Sequence, residues 1–104
     1  MTLESKKRQA ALFAIVAKIP PGMVTTYGEL GRVLDMHPRQ VGRLLHTNSD
    51  PLNVPCHRVV RSTGSLAGGY AFGGPNLQKK LLESEGIIFS SGKIDLKTYG
   101  WVAI

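Results

Sequence analysis

Apolar residues in the first part of the chain recur at the i, i+3, i+4, i+7 spacing of one face of an amphipathic helix. They are Leu12, Ile15, Val16 and Ile19. The sequence Pro20-Pro21-Gly22 follows directly. Proline offers no backbone donor and disfavours a helical residue before it. We therefore predict a first helix that carries this apolar face and ends at the two prolines.

A short second helix is predicted from Thr26. The sequence Thr26-Tyr27-Gly28-Glu29 is typical of a capping box, in which the Thr26 hydroxyl caps the helix and Glu29 reaches back. The helix then has one apolar face, made of Tyr27, Leu30 and Leu34. Asp35-Met36-His37 is predicted to be a turn.

A third helix follows the turn. Pro38 suits its first position, where a missing N–H costs nothing. Its apolar face is Val41, Leu44 and Leu45. Arg39 and Arg43, four residues apart, share a different face. Two short helices joined by a tight turn, the second presenting arginines, indicate a DNA-binding helix-turn-helix. An ordinary helical hairpin with solvated arginines is the alternative.

The second half of the chain has a different pattern of apolar and polar residues. The segment 54–60 is mostly apolar and too short for a helix, so we expect it to be extended. The stretch 61–74 is rich in glycine and is predicted to be irregular, with a candidate hairpin at Ser62-Thr63-Gly64. A fourth helix is predicted over 75–85, with three leucines facing inward. These are Leu77, Leu81 and Leu82.

A small hairpin is predicted near the carboxyl terminus, with strands at 87–89 and 93–95 around Ser90-Ser91-Gly92. The residues after it are expected to pack as a tail. The fold class that results is mainly α: one small helical domain over 1–104, with a winged-helix-like helix-turn-helix and minor β-hairpins.

The net charge and the cysteine content reduce the number of function classes that fit the chain. The chain has 104 residues and a formal net charge of +6, which favours nucleic acid about as strongly as a merely solvated basic surface. With one cysteine there is no internal disulfide and no Cys-x-x-Cys zinc pair, so we expect no metal and no cofactor. No apolar run approaches the ~20 residues of a membrane span. We expect a cytoplasmic monomer.

Cys56 is the one residue that could act as a soft nucleophile. A thiol must ionise to react, and a neighbouring base or positive charge helps it do so. His57 and Arg58 follow at once. Adjacent residues of an extended segment point to opposite sides, so contact between Cys56 and His57 needs a turn or a bridging water. A buried, unreactive small hydrophobe is the alternative.

Several segments, in order, resemble the O6-alkylguanine-DNA alkyltransferases. The sequence Pro55-Cys56-His57-Arg58-Val59-Val60 resembles the active-site signature of that family, and 19–30 resembles its entry into the helix-turn-helix. The other similar segments are Arg39-Gln40-Val41-Gly42, Asn48, Tyr70 with Gly73-Gly74, and 81–86. The resemblance covers about 12–86 of the chain.

The resemblance implies a role for each matching residue. Cys56 would accept the alkyl group, His57 and Glu85 would polarise a water that takes the thiol proton, and Asn48 would brace the loop that holds Cys56. The residues it places in the substrate pocket are Tyr70, as donor to the purine, with Pro55, Arg58 and Val59.

On the DNA side, the resemblance implies that Arg39 enters the duplex as the damaged base leaves, and that Tyr27 presses on the phosphate and helps rotate the nucleotide. Gly42 and Arg43 belong to the same implied DNA-binding set. A base in a duplex must be extruded before chemistry reaches it, at a cost of a few kcal/mol. The implied partner is double-stranded DNA that contains O6-alkylguanine.

The chain also departs from that family. Full-length alkyltransferases carry an additional amino-terminal domain, and the stretch from Tyr27 to Arg39 is slightly short. The segments 74–78 and 92–101 resemble the alkyltransferase-like proteins, which bind alkylated DNA without transfer and flag it for nucleotide excision repair. Alkyl transfer is the preferred interpretation, and a lesion sensor with excision-repair partners is the alternative. A dimeric transcription factor would leave the segment 55–60 unexplained. A cysteine hydrolase would leave Arg39 and the net positive charge unexplained.

Overall fold

The computed structural model describes residues 2–66, 68, 70 and 72–102. Five α-helices, one turn of 3-10 helix and four short strands lie in this part of the chain. The helices are α1 (Leu3–Val16), α2 (Tyr27–Leu34), α3 (Pro38–Leu45), α4 (Gly74–Ser84) and α5 (Leu96–Tyr99), and the strands are β1 (Thr25–Thr26), β2 (Val59–Val60), β3 (Phe89–Ser90) and β4 (Lys93–Ile94). The predicted fold class, mainly α with small β elements, is confirmed.

The first helix ends earlier than its apolar pattern predicts. Thr2 caps it by accepting a hydrogen bond from Ser5 N at 3.1 Å, and the last helical residue is Val16. Ile19, which we predicted to lie on the helix, lies in the turn that follows and is 1% exposed. The reason is that Pro20 disfavours helical geometry in the residue before it. Burial of Ile19 thus does not require that it belong to the helix.

The predicted helix-turn-helix is confirmed. Thr26 Oγ1 accepts from Glu29 N at 3.0 Å, as the first half of the capping box requires, while the Glu29 carboxylate accepts from Arg32. Asp35 ends α2 in the left-handed conformation, with φ of 54°. The ring of His37 then caps α3 by accepting from Arg39 N at 3.1 Å. Val41, Leu44 and Leu45 are buried, and Arg39 and Arg43 are exposed, as predicted.

Two short strands far apart in the sequence form a parallel pair. Thr25 pairs with Val59 and Thr26 pairs with Val60, so the residues that enter α2 lie beside the residues that follow Cys56. Val24 also forms a parallel bridge with Gly100, and Trp101 N donates to Val24 O at 2.7 Å. The helix-turn-helix and the cysteine segment are therefore held in one frame with the carboxyl-terminal residues.

The fourth helix is rotated from the predicted orientation. Leu77 is 39% exposed and covers Gly73, whereas Gln78 is 3% exposed. Gln78 lies four residues before the fully buried Leu82, and such residues share one helix face. The prediction that Leu77 faces inward is therefore wrong.

One of the two predicted hairpins is confirmed, and the other is only a turn. The one near the carboxyl terminus is confirmed, because β3 and β4 pair antiparallel through Phe89 with Ile94 and Ser90 with Lys93. At Ser62-Thr63-Gly64 there is only a turn, closed by Gly64 N donating to Arg61 O at 2.8 Å. No paired strands flank this turn within the described residues. Gly64 O instead accepts from Ile94 N, which links the turn to the confirmed hairpin.

Candidate DNA-facing groove and cysteine site

Cys56 opens a short helical turn. We expected 54–60 to be extended throughout, but Cys56–Arg58 form one turn of 3-10 helix, after which β2 is extended as expected. The turn closes through hydrogen bonds from Arg58 N to Pro55 O and from Val59 N to Cys56 O. Cys56 itself is 8% exposed. Local backbone hydrogen bonds thus override the apolar pattern, which indicated a strand.

Asn48 ties the loop after α3 to the segment that precedes the cysteine. It is 6% exposed, its Nδ2 donates to Val54 O at 2.8 Å, and its Oδ1 accepts from Asp50 N at 3.0 Å. Burial raises the pKa of the Cys56 thiol, and a hydrogen bond with the Asn48 side chain opposes that rise. The net direction is upward, so the resting thiol is held in its protonated form.

His57 and Arg58 both contact Glu85, which follows α4. His57 Nε2 lies 2.8 Å from Glu85 Oε2, and because a carboxylate only accepts, the ring proton lies on Nε2. Arg58 donates from Nε to Oε1 at 2.9 Å and from Nη2 to Oε2 at 2.7 Å. Burial alone would raise the pKa of Glu85, but the hydrogen bonds and charges of Arg58 and His57 outweigh it and lower the pKa. Glu85 is therefore ionised and orients the imidazole.

A small cavity adjoins Cys56. Its volume is about 20 Å³, enough for about one water. The described residues that line it are Tyr27, Gly42, Leu45, His46, Cys56, Tyr70 and Gln78. Burial raises the pKa of both tyrosines, and their hydroxyls thus remain protonated donors. Tyr70 also packs edge-on against His57, with ring centroids 6.5 Å apart.

Three of the predicted pocket residues lie around the turn instead of among those lining residues. Pro55 and Val59 are buried on either side of it. The Arg58 guanidinium is occupied by Glu85 and by Ile19 O, which accepts from Nη1 at 2.8 Å. Their placement supports the geometry of the turn, and Tyr70 is the predicted pocket residue that reaches the cavity.

A larger open groove runs along α3. It encloses about 920 Å³, and its lining includes the three arginines Arg39, Arg43 and Arg61. Tyr27, Gly42 and His46 line both this groove and the small cavity, so the two spaces meet at these residues. A groove that follows a helix and is lined by arginines is the kind of surface that binds DNA phosphates.

The sequence analysis missed several residues that line this site, among them Arg61, His46 and Gln78. Arg61 follows β2, where no helical spacing relates it to the arginines of α3. His46 lies three residues after Arg43 and seven after Arg39, so helical spacing alone could have placed it on the arginine face. Gln78 gave no such signal, because it is a polar residue among leucines. Within the described residues, no group of three or more His, Cys, Asp or Glu side chains could hold a metal ion. None of the described helices is long and apolar enough to cross a membrane.

Comparisons with known proteins agree with this geometry. Residues 7–87 match the family described as 6-O-methylguanine DNA methyltransferase, DNA binding domain. A methylated-DNA–protein-cysteine methyltransferase of Methanothermobacter thermautotrophicus is 44% identical over 79 residues, which are 76% of this chain and 44% of that protein. The DNA base-flipping protein of Escherichia coli is 39% identical over 95 residues, covering 86% of this chain and 70% of that one.

A solved structure extends the likeness to nearly the whole chain. Atl1 of Schizosaccharomyces pombe, in complex with damaged DNA containing O6-carboxymethylguanine, has a TM-score of 0.81 at 31% identity. The match covers 97% of this chain and 98% of that one. The chain belongs to the O6-methylguanine DNA methyltransferase family, through that family's DNA-binding domain. It spans less than half the length of the curated methyltransferase from Methanothermobacter thermautotrophicus.

Proposed function

We propose that this protein binds duplex DNA containing O6-alkylguanine, takes the extruded base beside Cys56 and accepts the alkyl group irreversibly on Sγ. The observation that carries the proposal is the position of the buried thiol. It lies on a turn whose next residue, His57, is hydrogen-bonded to the ionised Glu85, and it adjoins an arginine-lined groove. A thiol without such a base would be a weak nucleophile at neutral pH.

The proton path follows from the ring of His57. Nε2 carries its proton toward Glu85, so Nδ1 of the neutral imidazole is an acceptor. A water between Nδ1 and the thiol passes the thiol proton to the ring, while Glu85 stabilises the imidazolium that forms. The Sγ–carbon bond forms as the carbon–O6 bond breaks. Guanine regains its carbonyl and takes a proton at N1 from solvent, to which the imidazolium returns the proton that it received from the thiol. The thioether does not revert.

Other residues of the site have supporting roles in this proposal. Asn48 braces the loop that holds Cys56, through its bond to Val54 O. Tyr70 donates to the purine from the cavity, which helps the leaving oxygen. On the DNA side, Tyr27 presses on the phosphate and Arg39 occupies the space that the extruded base leaves. Gly42 and Arg43 line the groove where the backbone of the duplex lies.

The cavity must widen before a base can enter. Its volume of about 20 Å³ holds about one water, which is far less than a purine requires. The proposal therefore includes an opening of the pocket around Tyr70 when the base arrives. Part of the binding energy is spent on that opening and on base extrusion.

A lesion sensor that binds without transfer is the second candidate. It is favoured by the nearly complete overlap with Atl1 of S. pombe, solved with damaged DNA, and by the likeness to the E. coli DNA base-flipping protein. In that case excision-repair proteins are the partners, and the base-flipping step is unchanged. The two candidates share the binding step and differ in whether Cys56 reacts and in whether repair partners are recruited.

Intact mass separates the two functions. The protein is incubated with a duplex that contains one O6-methylguanine, and we expect a gain of one methyl group on the peptide that contains Cys56. Cys56→Ser should bind the lesion without gaining mass, because a neutral hydroxyl is a much poorer nucleophile. His57→Ala and Glu85→Gln should slow transfer more than they weaken binding. Tight lesion binding with no mass change in the wild type would establish the sensor and exclude transfer.

A further inference from the structure

Gln78 holds the turn that carries Cys56. It projects from α4, is 3% exposed, and its Nε2 donates to His57 O at 3.0 Å and to Val59 O at 3.3 Å. Carbonyl oxygens only accept, so the orientation of the Gln78 amide is fixed: nitrogen toward the turn, oxygen away from it. Leu77, one of the three leucines predicted to face inward, is 39% exposed and lies outside this position.

Because Nε2 is engaged with the turn, Oε1 is the amide atom of Gln78 that is left to accept a hydrogen bond. Gln78 lines that cavity together with Cys56, Tyr27 and Tyr70. Within the described part of the chain, Nε2 has two partners and no donor bonds to Oε1. Among the described residues, Oε1 is not one of the fully enclosed side-chain atoms that lack a partner, so it keeps some access to solvent and can accept from a water or a ligand. The cavity has room for about one water in this state.

The chemistry of the lesion determines what such an acceptor can recognise. Alkylation at O6 removes the proton from N1 of guanine. The ring nitrogens N1, N3 and N7 are then all acceptors, and the 2-amino group is the one N–H donor on the base. An acceptor fixed in the pocket can therefore bond only to the 2-amino group.

We propose that Gln78 is a specificity-determining residue, whose Oε1 accepts a hydrogen bond from the 2-amino group of the extruded O6-alkylguanine. This inference rests on the proposed function, because it needs the base to enter the cavity beside Cys56. The base amine would donate to Oε1 in the place of a solvent water. The same side chain holds the Cys56 turn and reads the base, so recognition and placement of the thiol are coupled through one amide.

The test compares two lesions that differ only in the 2-amino group. Duplexes carry either O6-methylguanine or 6-methoxypurine, which has hydrogen in place of the amine, and Kd and the rate of methyl transfer are measured for each. The wild type should prefer O6-methylguanine by about tenfold, as expected for one hydrogen bond in a confined site. If Gln78 had a purely structural role, substituting it would change Kd and the transfer rate by the same factor for both duplexes. The ratio between the two duplexes would then be unchanged.

Two variants separate the donor role of Gln78 Nε2 from the acceptor role of Oε1. Gln78→Lys keeps a donor for the backbone carbonyls and removes the acceptor, and Gln78→Met removes both. We expect the tenfold preference to fall to about twofold in each, with the overall rate reduced further in Gln78→Met. Circular dichroism checks that each variant folds.

Three outcomes overturn a claim. Retention of the tenfold ratio in a folded Gln78→Lys variant excludes Gln78 as the reader. A wild-type ratio near one, with clear preference for O6-methylguanine over undamaged DNA, overturns the inference and leaves the proposed function standing. No wild-type preference for O6-methylguanine over undamaged DNA overturns the proposed function itself.

Discussion

Arg58 and Glu85, 27 residues apart in the chain, form a two-point ion pair in which both carboxylate oxygens accept from the guanidinium. The third nitrogen, Nη1, donates to Ile19 O. This one side chain therefore joins the Cys56 turn, the end of α4 and the segment after α1. It also holds the carboxylate that orients His57.

Loss of the Arg58 guanidinium should destabilise the fold strongly. Arg58→Met leaves a nearly buried carboxylate without its cation, and breaking such a pair costs about 3 kcal/mol of unfolding free energy. Arg32→Met is the matched control, because the arginine of the Arg32–Glu29 pair is 65% exposed, so solvent screens the pair and its loss should cost much less stability. Urea unfolding at neutral pH measures both. Equal losses for the two variants would contradict this account of the Arg58 pair.

Glu85 should make the fold sensitive to acid. Its pKa in the folded protein is below the ordinary value of 4.5, so the stability it contributes is present above pH 4.5 and is lost as pH falls through the folded pKa. Urea unfolding from pH 6 to pH 3 should show a steeper decline for the wild type than for Glu85→Gln. Parallel curves would mean that the carboxylate has the same pKa folded and unfolded.

The resting thiol should react slowly with simple alkylating reagents. Burial raises the pKa of Cys56, so less thiolate is present at a given pH than in an unfolded chain. Because the chain has one cysteine, iodoacetamide labelling followed by mass reports on Cys56 alone. The midpoint of rate against pH should lie above that of the same protein in urea. A midpoint below the urea value would show that the site stabilises the thiolate even without DNA.

Arg39 and Arg43 should have separable effects on DNA binding. Arg43→Ala removes one groove cation, which should lower the slope of log affinity against log salt by about 0.9 on any duplex. Arg39→Ala should reduce the preference for lesion over undamaged DNA, by on the order of 1–3 kcal/mol for a lost stacked contact. Lys97→Ala, on α5 and outside the groove lining, is the control. Exchanged phenotypes would mean that Arg43 is the residue that enters the duplex.

The helix-turn-helix could be predicted because its signals are local. Thr26 caps α2, Pro38 begins α3, and the apolar residues of each helix recur at helical spacing. Capping and periodicity depend on residues within about four positions of one another, so a single sequence contains them. The pairing of β1 with β2 has no local signature, since each strand is two residues long and its partner is distant.

The sequence by itself determined which residue types were available: one cysteine followed by histidine and arginine, a basic chain, and arginines at helical spacing. Tertiary structure decided how they meet. It folded the Cys56 segment into a turn where apolar residues indicated a strand, and it rotated α4 so that Gln78 lies inside and Leu77 outside. It also placed Glu85 on His57 and Arg58. These features depend on hydrogen bonds between segments distant in the chain, and such bonds leave no periodic pattern in the sequence of either segment.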